Sequence, residues 1–475
     1  MPRMRLPSLA VVLAAAAAFA STASAQPAPA PPNRAQPAPA PTPTTPPATE
    51  PGKLPEAPAV NDPMLAPVAR ARIEISTWEE ALQQVKSLST DLRIAAANIA
   101  RAEAASRVAL GNALTQINGQ ANYTHNFITK DLPDGSNIPI KDSANASGTL
   151  SQPIFNLRSW YAIGTAHRSE EVSHLTFEDT KRQLALSVAN ALVGVVTNER
   201  VAELNRLGLS NALQRLELAQ RKTSLGSGTG LDVVRARQDV ETARATLVTG
   251  DEQLRQAREA LGLALGFSEQ AGVPPTVDLN GLEKAAQTSC KPAKDVDTRA
   301  DIAALHQRVE VAHRGITDVK YQFVPTLDLR SAVQTSSQQN LVSPAATWNI
   351  AAVLTVPIWD GGVRYGNLRD AKAQETIALQ NLEAARRKAT VEVTQARRAV
   401  SVAEDSRRVA ASARDLAAET DRLTRTSYLE GRGTSLELVT AAQALRQAEI
   451  QLAVQDFNLV KARVAAVLAL AVCPF

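Results

Sequence analysis

Residues 225–232 read LGSGTGLD, and 205 positions later residues 430–437 read EGRGTSLE. The match continues without a gap, with 17 identities in the 41 positions from residue 225 to residue 265. Alanine bias explains some of these identities, but it does not explain the shared Gly-x-Gly-Thr run. A match at a fixed spacing indicates an internal tandem repeat, so we expect the same architecture to be built twice.

A long helix precedes each glycine-rich segment. Residues 158–222 and 362–427 contain no proline, and their apolar positions recur at steps of three and four. At 1.5 Å per residue, each segment would reach roughly 100 Å as a helix. A chain that reverses direction within a few residues needs positive φ, which we expect at Gly226, Gly228, Gly230, Gly431 and Gly433. The sequence therefore predicts two long helical hairpins, and a further helix at residues 77–113.

Two segments with alternating side chains lie before each long helix. Residues 116–127 carry a row of polar side chains on one face, and residues 347–358 carry a wholly apolar face. Residues 144–155 and 326–336 alternate less cleanly and complete a set of four. Strict alternation over about ten residues is typical of a transmembrane β-strand. The edge of a soluble β-sandwich is the alternative interpretation, although the polar row suits a strand with water on one side only.

Four strands are too few to close a membrane barrel. An open edge in lipid leaves backbone groups without hydrogen bonds, at a cost of several kcal/mol for each group. Several copies of the chain must therefore pool their strands. Two, three or four copies would give eight, twelve or sixteen strands, and the strand count alone does not choose among them.

The ends of the sequence predict export. Arg3 and Arg5 precede an apolar run at residues 9–20, and Ala23-Ser24-Ala25 forms a small-residue cleavage site, as in a secretory signal peptide. An N-terminal membrane anchor is the alternative. The alternating Pro, Ala and Thr residues that follow favour an extended linker. The predicted domains are a signal peptide (1–25), a Pro/Ala-rich disordered linker (26–70), a first repeat (71–266), an insert (267–296) and a second repeat (297–475).

Composition and local motifs exclude several functions. Lys+Arg 51 against Asp+Glu 47 leaves no strong basic excess for nucleic acid, and aromatic residues at 4% argue against one large globular core. The glycines of residues 226–230 follow a helix and lack a following Lys-Ser/Thr pair, so they do not form a phosphate-binding loop. His167/His174 and His306/His313 lack a neighbouring carboxylate or cysteine motif, which favours surface or packing roles. We find no catalytic constellation, and we expect no enzyme activity, cofactor or metal.

The duplicated pattern and two motifs within it resemble the TolC family of outer-membrane efflux proteins. The first motif is the strand-to-helix element, QPIFN at residues 152–156 and VPIWDGG at residues 356–362. The second is the hairpin tip, LGSGTGLDVV at residues 225–234 and YLEGRGTSLELV at residues 428–439. The resemblance covers about residues 70 to 475.

The resemblance implies an α+β membrane protein made mainly of long α-helical hairpins that form an α-barrel. It also implies a homotrimer in which four transmembrane strands from each chain form a 12-stranded β-barrel in outer-membrane lipid. Such a channel serves a tripartite efflux or type I secretion system, and its periplasmic end docks on an adaptor (membrane fusion protein) and an inner-membrane pump. A periplasmic coiled-coil scaffold or adaptor without a pore is the alternative function, against which the paired alternating strands argue.

The resemblance also assigns roles at the tips. Asp232 matches a carboxylate that holds the closed entrance together, and Tyr428 matches the aromatic residue that bonds to it. Glu437 matches the residue that forms an acidic ring, which favours cations. The family's arginine would fall at Gly433, so that only neighbouring Arg432 could serve, and a second acidic ring would fall at the neutral Thr440. Helix capping alone is the alternative role for Asp232 and Glu437. The adaptor-docking tips comprise Leu225, Gly226, Gly228, Thr229, Leu429, Gly431, Gly433 and Thr434.

The two cysteines of the chain are Cys290 and Cys473. In an exported protein, an even and very small cysteine count favours one disulfide over two unrelated free thiols. The resemblance places both segments in a belt around the middle of the helical tunnel, where a bond between them would close the belt.

Overall fold

The computed structural model describes residues 60–127, 129–131, 137–139, 142–275, 279–337 and 345–473. The predicted signal peptide and most of the predicted linker lie outside these residues. Within the described ranges, no helix carries an apolar stretch long enough to cross a bilayer.

Long helices dominate the described chain. α3 and α7 contain 68 and 67 residues, so each is about 100 Å long, as the proline-free segments predict. The helices are α1 (Trp78–Leu88), α2 (Thr90–Gly111), α3 (Leu157–Ser224), α4 (Gly230–Leu265), α5 (Leu279–Ser289), α6 (Ala300–Tyr321), α7 (Val363–Leu429) and α8 (Ser435–Leu468).

The predicted helix at residues 77–113 is two helices. Ser89 ends α1 with an extended ψ of 123°, and its hydroxyl accepts a hydrogen bond from the Leu92 N–H at 3.3 Å. A serine side chain that satisfies a free N–H of the following turn starts a new helix, which explains the break.

The strands form one large antiparallel sheet and several two-stranded pairs. Their bounds are β1 (Ile73–Glu74), β2 (Gln116–Thr124), β3 (Thr129–Asp131), β4 (Asn137–Pro139), β5 (Ser143–Phe155), β6 (Ala271–Gly272), β7 (Lys291–Pro292), β8 (Thr326–Ser336), β9 (Ala346–Thr355) and β10 (Ala471–Val472). The four long strands lie in the order β2-β5-β8-β9, and all are antiparallel. They match the four alternating segments, with ends that differ by no more than three residues.

The register of this sheet separates polar from apolar side chains. Because Ile117 pairs with Leu150 and Trp348 with Val333, one face is largely apolar across the four strands. The opposite face combines the polar row of β2 with polar residues of β5, β8 and β9; its paired positions include Asn118↔Thr149, Gln120↔Ser147, Ser147↔Gln334 and Gln334↔Thr347.

The two outer strands of the sheet leave its edges open within one chain. Among the residues that the structure describes, β2 pairs in this sheet with β5 alone, and β9 pairs with β8 alone. The apolar face is also uncovered, with Trp348 71% exposed. A water-soluble sandwich would bury such a face, so the sheet is built to meet another apolar phase and further strands.

A short capped segment joins each long helix to the strand before it. The Asn156 side chain accepts from the Ser159 N–H at 3.1 Å and caps α3. In the second half, Gly361 and Gly362 have φ of 70° and 92°, and the Asp360 carboxylate accepts from the Gly362 N–H at 3.1 Å. One residue separates β5 from α3, and the seven residues 356–362 separate β9 from α7, so both long helices follow strands of the same sheet.

The main hydrophobic core forms a belt around the middle of α3. Buried residues of α1 and α5 pack against α3 between Ala185 and Val195 and against the end of α4 at Leu265. β1 pairs with β6, β7 pairs with β10, and a disulfide joins Cys290 to Cys473. The insert at 267–296 therefore lies in this belt, together with the last strand of the described chain.

The end of the predicted linker packs against the helices, so the boundary predicted at residue 70 is too late. The Asp62 carboxylate forms an ion pair with Arg244 at 2.7 Å, which lowers the pKa of Asp62. Met64 and Leu65 contact a buried cluster on α3 and α4, and Arg258 donates to the Ala69 carbonyl at 2.7 Å. Residues 62–69 therefore belong to the packed part of the chain.

Candidate functional site

The two hairpin tips share one backbone design. Ser227 N–H donates to the Lys222 carbonyl at 2.9 Å, and Arg432 N–H donates to the Ser427 carbonyl at the same distance. The structure puts positive φ only at Gly226 (74°) and Gly431 (77°) among the tip glycines, which corrects the wider expectation. These bonds end α3 and α7, and at each tip the chain turns back into the next helix.

At Gly228 and Gly433 the reason for glycine is that another part of the backbone lies too close for a side chain, and not a positive φ. A Cβ on Gly228 would lie 3.0 Å from the Thr223 nitrogen, and one on Gly433 would lie 3.0 Å from the Tyr428 nitrogen. Gly230 has neither constraint: its φ is negative and a Cβ there would meet open space. The first residue of α4 therefore tolerates other side chains, as Ser435 shows at the matching position of α8.

A capping box starts each returning helix. Thr229 and Asp232 exchange side-chain and backbone hydrogen bonds at the start of α4, and Thr434 and Glu437 do so at the start of α8. The predicted capping residues are thus confirmed. The Thr434 N–H and hydroxyl hold the pKa of Glu437 below its usual value, so this exposed carboxylate stays charged.

Asp232 also reaches across to the second hairpin. A hydrogen bond from the Ser435 side chain is the main cause of the lowered pKa of Asp232, followed by the bonds from Thr229. Arg235 contacts the same Ser435 hydroxyl at 3.4 Å. The carboxylate therefore caps its own helix and lies close to the second tip.

Tyr428 lies between the tips and is only 7% exposed. Burial, and secondarily the charge of Asp232, raises the pKa of the Tyr428 phenol. The structure thus brings the two residues of the proposed closing contact near each other. Within the described part of one chain, however, no hydrogen bond joins their side chains.

Lys222 supplies a cation that the sequence analysis missed. Its ammonium lies 4.0 Å from the centre of the Tyr428 ring and donates to the Tyr428 carbonyl at 2.8 Å. Arg432, the expected substitute for the family's arginine, instead points outward with its side chain 81% exposed, 3.6 Å from Glu430. Lys222 precedes Tyr428 by 206 positions, so no local pattern could have paired them.

A layer of buried charge lies between the hairpins on the belt side of the tips. The Asp239 carboxylate is fully buried and accepts from Arg215 at 2.6 Å and from Gln443 at 2.9 Å. Burial lowers the pKa of nearby Arg446, while the charge of Asp239 opposes that effect. Asp239 therefore joins α3, α4 and α8 through charged hydrogen bonds.

Replacing Lys222 with methionine is expected to loosen both tips. The change removes a charged hydrogen bond and a cation–π contact, together about 2 to 4 kcal/mol. We expect amide hydrogen exchange at residues 225–234 and 428–437 to accelerate at least about tenfold, since 1.4 kcal/mol corresponds to tenfold. Arg221→Met is the matched control, because Arg221 is the neighbouring basic residue and pairs with Glu217 on an exposed surface. Equal exchange in the two variants would contradict a linking role for Lys222.

Comparisons with known proteins agree with this architecture. A family model described as outer membrane efflux protein matches residues 81–267 and 296–471. The chain is 26% identical to the fusaric acid resistance protein FusA of Burkholderia cepacia over 63% of its length, but this match spans only 58% of FusA. It is 24% identical to the cation efflux system protein CusC of Escherichia coli O6:H1, over 76% of the chain and 80% of CusC.

The outer membrane protein VceC of Vibrio cholerae has a similar fold. Its crystal structure superposes with a TM-score of 0.68 at 18% identity, covering 83% of this chain and 95% of VceC. An identity this low establishes the likeness of fold alone. The family model, by contrast, covers both halves of the chain, including the strands, the long helices and both tips. This chain therefore belongs to the outer membrane efflux protein family.

Proposed function

We propose that this protein is the outer-membrane channel component of a tripartite efflux or type I secretion system, a passive conduit across the periplasm and outer membrane. The observation that carries the proposal is the four-stranded sheet, with an uncovered apolar face and two open edges, mounted on helices about 100 Å long. A periplasmic scaffold without a pore would not need a sheet with an exposed apolar face. Membership of the family supports the same conclusion.

The channel is a homotrimer with a 12-stranded barrel. Three copies would pair the open edges of β2 and β9 and place the polar face of each sheet toward water. The helices offer a second contact: α7 carries exposed apolar residues at strict seven-residue steps, Val402, Val409, Leu416 and Leu423. A heptad row left uncovered within one chain suits packing against a helix of another copy.

The hairpin tips form both the entrance and the adaptor-docking surface. Three copies bring three Asp232 and three Glu437 carboxylates to one end, where their field concentrates cations. Exposed apolar side chains surround these carboxylates, with Leu225 80% exposed and Leu231, Val234 and Leu436 more than half exposed. Apolar patches of this kind mark contact with another protein, here the periplasmic adaptor that couples the channel to an inner-membrane pump.

We assign the choice of cargo to the pump rather than to this chain. The names of the relatives span fusaric acid resistance, cation efflux and toluene efflux. Since proteins of one family serve such different compounds, the shared channel architecture does not select among them.

The test combines fractionation with conductance. We expect a heat-resistant trimer in the outer-membrane fraction and a small conductance in planar bilayers. Asp232→Ala with Tyr428→Phe should raise this conductance about tenfold or more, because each 1.4 kcal/mol removed from the closed state shifts the open population tenfold. Asp415→Ala with Tyr365→Phe is the control, since both residues lie on α7 away from the tips.

Two outcomes would contradict separate parts of the proposal. A soluble periplasmic monomer would support the scaffold and remove the channel. A conducting trimer whose conductance is unchanged by Asp232→Ala with Tyr428→Phe would keep the channel but remove these residues from the entrance contact.

A further inference from the structure

A cluster of metal-ligating side chains lies between α2 and α3, far from the tips. Ligand atoms of Glu103, Glu170 and His174 all lie within 4.8 Å of one another. His167 adjoins them, with its Nδ1 atom 3.5 Å from the Glu170 carboxylate. One helix therefore offers two imidazoles and a carboxylate, and its neighbour offers a second carboxylate.

Helix geometry explains how these residues meet. His167, Glu170 and His174 are spaced by three and four residues, so they share one face of α3. α2 lies alongside, and the Ser106 hydroxyl contacts His167 Nδ1 at 3.3 Å one turn beyond Glu103. The histidine pair therefore does have carboxylate partners, contrary to the expectation from the sequence: Glu170 lies between the two histidines on α3, and the packing of α2 adds Glu103.

The carboxylates of this cluster differ from neighbouring carboxylates on α3, which form ion pairs with basic side chains. Along α3, Glu171 pairs with Arg168 and Glu178 pairs with Lys181, each at 2.9 Å. Within the described ranges, by contrast, no lysine or arginine lies within ion-pair distance of Glu103 or Glu170. Two carboxylates that face each other repel each other, and a bound cation relieves that repulsion.

We propose that Glu103, Glu170 and His174 bind a divalent first-row transition metal, with zinc as the best fit. One imidazole and two carboxylates suit zinc, whereas magnesium and calcium prefer oxygen alone and copper(I) prefers sulfur. Three protein ligands leave a fourth position for water. His167 is a positioning residue, since its contact with Glu170 orients that carboxylate. The metal joins α2 to α3, and this role does not depend on transport.

Zinc titration of the untagged, full-length protein in detergent tests the site. After chelator treatment, calorimetry should show one zinc per chain, and zinc should raise the midpoint of thermal unfolding. His174→Asn and Glu103→Gln should each weaken zinc binding at least about tenfold. Mutating a residue that only hydrogen-bonds to a metal ligand already costs about tenfold in affinity, so removing a ligand should cost at least as much. Glu103→His should tighten zinc binding, because imidazole replaces a carboxylate ligand.

His306→Asn is the matched control, an exposed histidine on α6 outside the cluster, and it should bind zinc as the unsubstituted protein does. Circular dichroism of each variant checks that the helices are intact. The proposal is overturned if the unsubstituted protein takes up no zinc, or if His174→Asn and Glu103→Gln bind zinc with undiminished affinity.

Discussion

Replacing Cys290 and Cys473 with alanine is expected to lower the free energy of unfolding by about 5 kcal/mol. The bond joins residues 183 positions apart, and in the chain-entropy model a closed loop longer than 100 residues contributes about 5 kcal/mol. Both cysteines are 1% exposed in the belt, so alanine avoids burying a new polar group. Guanidinium unfolding followed by circular dichroism measures the change.

Reductant provides the control for the disulfide. Treating the unsubstituted protein with dithiothreitol should shift its unfolding midpoint toward that of the double alanine variant, while the variant itself should not respond. An identical midpoint for the oxidised, reduced and substituted proteins would mean that the bond adds nothing to stability.

Asp239→Ala is expected to cost about 3 to 5 kcal/mol of stability. Removal of one partner from a buried ion pair leaves the other charge without compensation. Here Arg215 would lose both of its hydrogen bonds to the carboxylate, and Arg446, whose pKa burial already lowers, would lose the nearby negative charge. The loss should appear as a lower midpoint in guanidinium unfolding.

Asp456→Ala is the matched control for Asp239→Ala. Asp456 also accepts from an arginine, Arg407, at 2.5 Å, but both side chains are about half exposed. An exposed pair of this kind contributes at most about 1 kcal/mol. Similar losses in the two variants would show that burial does not set the strength of these ion pairs.

Local patterns predicted the elements of the fold well. Two-residue alternation located the four long strands, because one face of the sheet is largely apolar. The absence of proline located α3 and α7, and the capping role expected as the alternative for Asp232 and Glu437 is present in the structure. Ser89 was missed because a serine that caps a helix looks like any serine within a polar helical stretch.

The Cys290–Cys473 bond was expected from the sequence, but other contacts between distant segments were not. Lys222 and Tyr428 meet only because the two hairpins lie side by side, and Glu103 meets His174 only because α2 packs along α3. The tip glycines show a subtler limit: composition indicated a tight turn, but only coordinates separate the positive φ of Gly226 from the close approach at Gly228. Roles that depend on several copies, such as a ring of Glu437 carboxylates, remain predictions.

The position of the belt along α3 has a mechanical consequence. The belt holds α3 near residues 185–196, which leaves 28 residues on each side, between Leu157 and Ala185 and between Val196 and Ser224. Each arm is therefore about 40 Å long, and a tilt of about 5° at the belt would displace the tip by about 4 Å. A helix held at its middle acts as a lever with equal arms. If the tips form the proposed entrance, a small change in how the belt holds α3 would move them without any helix unfolding.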